Sequence, residues 1–222
     1  MKLLSIKTGR SICLFRTAEL NPRGALELGI LDSMRIRYNF QGLPTPEQFL
    51  AFASKSESIS YSVGSFAWSG GECTVSLHIH QDGLVVDTRA GTEAADEFLA
   101  DLFGWAHSEF KAVAASTLAI KKAYLSELSV SMPSSLSFMH PKLVKFGKNL
   151  STAMAPDGKG LLFDMTKFAY ALDPESSARQ PTFRFEREDG APFKEGRFYS
   201  MAPLETTTHL KMLEQLEKTL AT

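Results

Sequence analysis

Thr74-Val75-Ser76-Leu77-His78-Ile79-His80-Gln81-Asp82-Gly83-Leu84-Val85-Val86-Asp87-Thr88 contains two strand-like runs around an Asp-Gly pair. The first run alternates, so Val75, Leu77 and Ile79 share one face of a strand while Ser76, His78 and His80 share the other. Asp-Gly between such runs signals a two-residue type I′ hairpin, because both central residues of that turn need positive φ. With Asp82 and Gly83 as the turn, His80 falls opposite Val85, His78 opposite Asp87 and Ser76 opposite Arg89. One face of the hairpin then carries Ser76, His78, His80, Asp87 and Arg89; the other carries Val75, Leu77, Ile79 and Val86. An apolar face of this kind must be covered. The reading is therefore α+β, an antiparallel sheet with helices packed on one face.

The flanking sequence supplies the helices. From Thr92 to about Phe110, Ala95, Phe98, Leu99, Leu102, Ala106 and Phe110 form a helical stripe, and Glu93, Asp96, Glu97 and Asp101 crowd the N-terminal end, where the dipole favours them. Upstream, Thr45-Pro46-Glu47-Gln48 has the form of a capping box with Pro at the first helical position, predicting a helix that stops near Lys55. Ser11 to Arg16 and Ile59 to Trp68 read as strands, and Asn21-Pro22-Arg23-Gly24 as a turn. Met34, Ile36, Tyr38 and Phe40 alternate with Arg35 and Arg37, which predicts a half-buried strand. In the second half, Tyr124 to Met132, Gly160 to Leu172, Pro181 to Glu188 and Gly196 to Met201 are expected strands. Helices are expected over Pro141 to Met154, stopped by Pro156-Asp157-Gly158, and at the C-terminal end, where Leu210, Leu213, Leu216 and Leu220 recur.

These elements suggest two halves, 1–115 and 116–222, each running strand, helix, three strands, helix, or else one continuous domain. The outline is similar in topology to TATA-binding-protein-like and helix-grip architectures, a likeness that carries no function. At 222 residues, 44% apolar and 22% charged, the chain can bury an ordinary core, and its sixteen Phe suit a packed interior better than a wet surface.

Net charge −1 with no basic run gives no footprint of a nucleic-acid binder, although folding could still assemble a basic patch. Two cysteines, Cys13 and Cys73, are too few for a disulfide framework, and Lys7 and Arg10 cut short the apolar opening after Met1. No stretch approaches the ~20 apolar residues of a membrane span. Reduced thiols and a soluble, cytoplasmic protein are the expectation.

His78 and His80, two apart on a strand, point to one face and are the first candidates for a metal site, with Asp87 to orient an imidazole. His78-x-His80-x-Asp82 overlaps the opening of the metallo-β-lactamase pattern, but Gly83 stands where that pattern needs another His. Ordinary cross-strand polar pairs explain the same residues. Cys73 could act as a nucleophile beside His78, though neighbouring Glu72 disfavours a thiolate. Arg35 and Arg37 could bind an anion or serve as a solvated face. Gly64 to Gly71 and Asp157 to Gly160 lack the Lys-Ser/Thr ending of a phosphate loop, and Glu186, Glu188 and Asp189 interleave with Arg184 and Arg187 as on a solvated strand edge. The expected function is a non-enzymatic binding or assembly protein without cofactor. It would act through a protein partner or self-association, by a polar sheet face or a helix. The candidate binding residues are His78, His80, Asp87, Ser76, Arg89, Arg35 and Arg37. The alternative function is a metal-dependent hydrolase using His78, His80 and Asp87, with the two histidines as candidate metal ligands.

Overall fold

A computed structural model describes residues 1–20, 28–54, 58–133, 136, 140–154, 163–173 and 182–221. The strands are β1 (Lys2–Leu14), β2 (Ile59–Trp68), β3 (Gly71–His80), β4 (Gly83–Thr88), β5 (Lys121–Ser131), β6 (Lys167–Tyr170), β7 (Phe183–Arg187) and β8 (Arg197–Ala202). The helices are α1 (Leu28–Arg37), α2 (Pro46–Ala53), α3 (Thr92–Phe110), α4 (Pro141–Met154) and α5 (Thr206–Ala221). All eight strands form one antiparallel sheet, in the order β2-β3-β4-β1-β5-β8-β7-β6, so the α+β class read from the sequence is present. The chain divides into two compact units. One is Ile6–Ser126 with Leu204–Thr206; the other is Met1–Ser5, Glu127–Pro203 and Thr207–Thr222.

The β3–β4 hairpin organises the first unit. Its turn is Gln81-Asp82 and not Asp82-Gly83, because Gly83 already pairs with His80. His78 therefore lies opposite Val85 and Ser76 opposite Asp87, two residues away from the expected register. A slip of two leaves each side chain on its face, so the apolar and polar faces survive the correction. Gly83 is needed for another reason: it also pairs with Leu14, and a Cβ there would collide with the Cys13 carbonyl. It marks the close approach of β1.

Val75, Leu77, Ile79, Leu84 and Val86 are buried together with Cys13 of β1 and with Phe98, Leu99 and Leu102 of α3. Burial pushes the Cys13 thiol up, and it packs as a small apolar residue. The start of α3 is held by a reciprocal pair: Thr206 Oγ1 accepts from the Thr92 backbone N–H at 3.0 Å, and Thr92 Oγ1 accepts from the Thr206 N–H at 2.8 Å. Each threonine satisfies a donor that the first turn of the other's helix leaves open.

The segment expected as a strand at Met34–Phe40 is instead mostly α1, ending at Arg37. Every second residue includes every fourth, so the alternation hid an i, i+4 series of Ile30, Met34 and Tyr38. Met34 and Tyr38 are buried, whereas Ile36, inward in a strand, is 67% exposed. Asn39 in the left-handed region (φ 50°) ends the helix and turns Phe40 into the core.

Helix α2 has the capping box read from the sequence. Gln48 N–H donates to Thr45 Oγ1 at 3.3 Å, and the Gln48 side chain accepts from Thr45 N–H at 3.1 Å. Thr45→Ala is expected to cost about 1 kcal/mol in urea unfolding; an unchanged midpoint would show that the cap contributes nothing.

In the second unit Leu128 and Val130 of β5, Met132 just past its end, Phe185 of β7 and Phe198 of β8 are buried, and the two Phe rings stack at 4.7 Å. From α5, His209 and Leu213 enter this core, so the terminal helix docks on its own chain through a face turned from the expected leucine seam. The strand expected over Gly160–Leu172 is shorter: among the described residues only Lys167–Tyr170 pairs, as the edge strand β6. The expected turns at Asn21–Gly24 and Pro156–Gly158 lie outside the described residues, as do Lys55 and Pro181.

Candidate functional site

The polar face of the first unit is built from four strands. Ser60 of β2 pairs with His78, and Arg10 of β1 pairs with Asp87. Because His78 itself lies opposite Val85, the two pairs meet on the diagonal between β3 and β4, giving a slanted row Ser60, His78, Asp87 and Arg10 across β2-β3-β4-β1. Ser60 Oγ lies 2.9 Å from His78 Nδ1. Arg10 donates to both Asp87 oxygens, Nε at 2.6 Å and a terminal nitrogen at 2.8 Å. His78 Nε2 is 3.8 Å from Asp87, beyond hydrogen-bonding range.

Serine, histidine and aspartate therefore adjoin, yet the pieces do not act as a nucleophilic triad. The carboxylate that would orient the imidazole is committed to Arg10 in a two-pronged pair. Burial lowers the His78 pKa, Asp87 partly opposes this, and Arg10 and His80 add to it, so the ring is neutral near pH 7. The row works as a cross-strand polar lock.

The other sequence candidates disperse. Ser76 and His80 share this face half-buried, and Arg89 lies exposed just past the end of β4. Cys73 lies at an odd position of β3, on the opposite strand face from His78, and packs against the apolar core, so the two cannot form a nucleophile–base pair. Among the described residues, no group of three or more His, Cys, Asp or Glu is arranged to hold a metal ion.

Arg35 pairs with Asp32 at 2.9 Å within α1. Arg37 forks onto Asp101 of α3 at 2.9–3.3 Å, and its guanidinium lies over the Tyr38 and Trp105 rings. Asp101 also accepts from the Tyr38 hydroxyl at 2.8 Å. The anion that Arg37 binds is thus an internal carboxylate, which ties α1 to α3.

The second unit offers a different surface. Helix α4 rests on the following chain through the side bearing Gly147 and Ser151: Ser151 Oγ accepts from the Phe163 N–H at 3.4 Å, and a Cβ on Gly147 would crowd the Phe163 carbonyl at 3.0 Å. Val144 and Leu150 are half-buried, whereas Leu143, Phe146 (59%) and Met154 (64%) are exposed. Phe163, Tyr170 and Leu172, farther along the same unit, are exposed too. Lys142, Lys145 and Lys148 stand on α4, which carries no acidic residue. The sequence predicted a helix over Pro141 to Met154; it could not tell which apolar residues another element would cover. No helix among the described residues is long and apolar enough to cross a membrane.

A scan against protein-family models and a search of curated proteins find no match.

Proposed function

We propose that this is a non-catalytic binding protein that engages an acidic protein partner through α4. One observation carries the reading: large apolar side chains of α4 face solvent among three lysines, with no carboxylate on the helix. Exposed apolar residues scattered singly are ordinary, but several on one helix, rimmed by charge, are the pattern of an interaction site. The lysines select for acidic character in the partner, and like charge opposes symmetric pairing of α4 with the α4 of a second copy.

The test is native mass spectrometry of the untagged protein purified from its host. The expected result is a complex with a second protein, whose Kd weakens at least tenfold in a Leu143→Glu/Phe146→Glu variant. Both positions are exposed, so circular dichroism should be unchanged. A wild type that is strictly monomeric, or a partner held equally well by the folded variant, overturns the proposal.

A further inference from the structure

The first unit contains a cavity of about 260 Å³ at the hairpin end of its core. Helix α1 contributes Met34, α2 contributes Phe52, the hairpin Leu84, and α3 Phe103, Trp105 and Ala106. Among the described residues no charged side chain lines it, and its side-chain hydroxyl and amide donors are engaged: Thr17 Oγ1 donates to the Gln81 carbonyl at 3.0 Å, and Gln81 Nε2 to the Phe52 carbonyl at 2.8 Å. Water entering it would find few partners, so the space is suited to an apolar guest.

Size narrows the guest. A dry apolar cavity of about 150 Å³ admits benzene, which is close to one Phe side chain. The present cavity is well over half as large again, so a single side chain from a partner would leave it part-empty. By the same proportion it holds roughly ten carbons. With no charge among the described lining residues, any polar end of the guest stays at the open side.

We infer that this cavity is a binding site for an uncharged hydrocarbon chain of medium length. The inference is independent of the α4 surface, which belongs to the other unit.

Trp105 lines the cavity, and the chain has only one other tryptophan, Trp68, so Trp68→Phe leaves a single reporter at the site. Titration of that variant with straight-chain 1-alkanols from butanol to decanol is expected to give saturable, one-to-one changes in Trp105 fluorescence. The Kd should tighten about fourfold per methylene until the cavity fills. In the same background, Ala106→Phe, at the cavity wall, should weaken the longest alkanol at least tenfold while circular dichroism stays native. Ala18→Leu repeats the test if Ala106→Phe fails to fold. Absence of saturable binding, or filled variants that bind as well as the parent, overturns the inference. Loss of a protein partner on filling the cavity, without any alkanol binding, overturns it in favour of a partner's side chain.

Discussion

Phe98→Ala is expected to lower the free energy of unfolding by about 3–5 kcal/mol, among the largest losses from any single truncation in this chain. Phe98 is 0% exposed, and its ring lies 4.7 Å from Tyr38 and 5.3 Å from Phe66, perpendicular to the latter. Removing it forfeits the transfer of a buried ring and leaves a void between α3, the end of α1 and β2. Tyr38 cannot swing into that void freely, because its hydroxyl is held by Asp101. The surroundings therefore collapse poorly, which places the cost toward the upper part of the range. Urea unfolding checks it. The control is Phe146→Ala, the same truncation on the exposed side of α4, which is expected to change stability by less than about 0.5 kcal/mol. Similar losses in both would mean that α4 is covered and the binding proposal is wrong.

Acidification is expected to cost about 3 kcal/mol of stability between pH 7 and pH 4 through one residue, His209. The ring is fully buried, and burial depresses its pKa from 6.5 to about 4. Ser200 Oγ lies 2.8 Å from His209 Nε2 and also donates to the Arg184 carbonyl. The serine hydrogen is thus used, so His209 Nε2–H is the donor between them. Above pH 6.5 the imidazole is neutral in both folded and unfolded chains and contributes no pH dependence. Below it the unfolded chain takes the proton first, so stability falls with pH until the folded ring titrates near 4. His78, also depressed by burial, adds a contribution of the same sign. Urea midpoints at pH 7, 5.5 and 4.5 should therefore fall more steeply for the wild type than for His209→Gln, whose amide can still donate to Ser200. Parallel curves would show that His209 is not the source.

What the sequence revealed, and what it hid, follow from the range of the interactions involved. Strand parity is local, so the faces of Ser76, His78 and His80 could be assigned even though the turn was placed one residue late. The turn itself depended on β1: Gly83 suggested positive φ at a turn centre, but it is required by the Cys13 carbonyl, some seventy residues away in sequence. Arg10 and Ser60 were not recognised as partners of Asp87 and His78, because pairing across β1 and β2 leaves no mark in either strand alone. The α1 error has a different origin. In Met34–Phe40 two periods coincide, and no local feature chose between them until Asn39 turned the chain. Arg35 and Arg37 consequently moved from a proposed anion site to pairs with Asp32 and Asp101. The cavity was invisible for the same long-range reason, since its walls come from three helices and a hairpin.

The sheet order also governs how the molecule can be made. β1 is the earliest strand in the sequence, yet it lies between β4 and β5. Its pairing of Gly9 with Thr88 closes a loop spanning most of the first unit, and its other neighbour begins only at Lys121. Contacts of such separation are slow to form, because loop closure must precede the stabilisation they bring. During synthesis β1 therefore leaves the ribosome with both edges unpaired. At 5–20 residues per second it waits several seconds for either partner. An early strand containing Leu3, Leu4, Ile6 and Ile12 is an aggregation hazard during that interval. Lys2, Lys7 and Arg10, the charges that interrupt its apolar run, are the residues placed to keep it from pairing with another nascent chain.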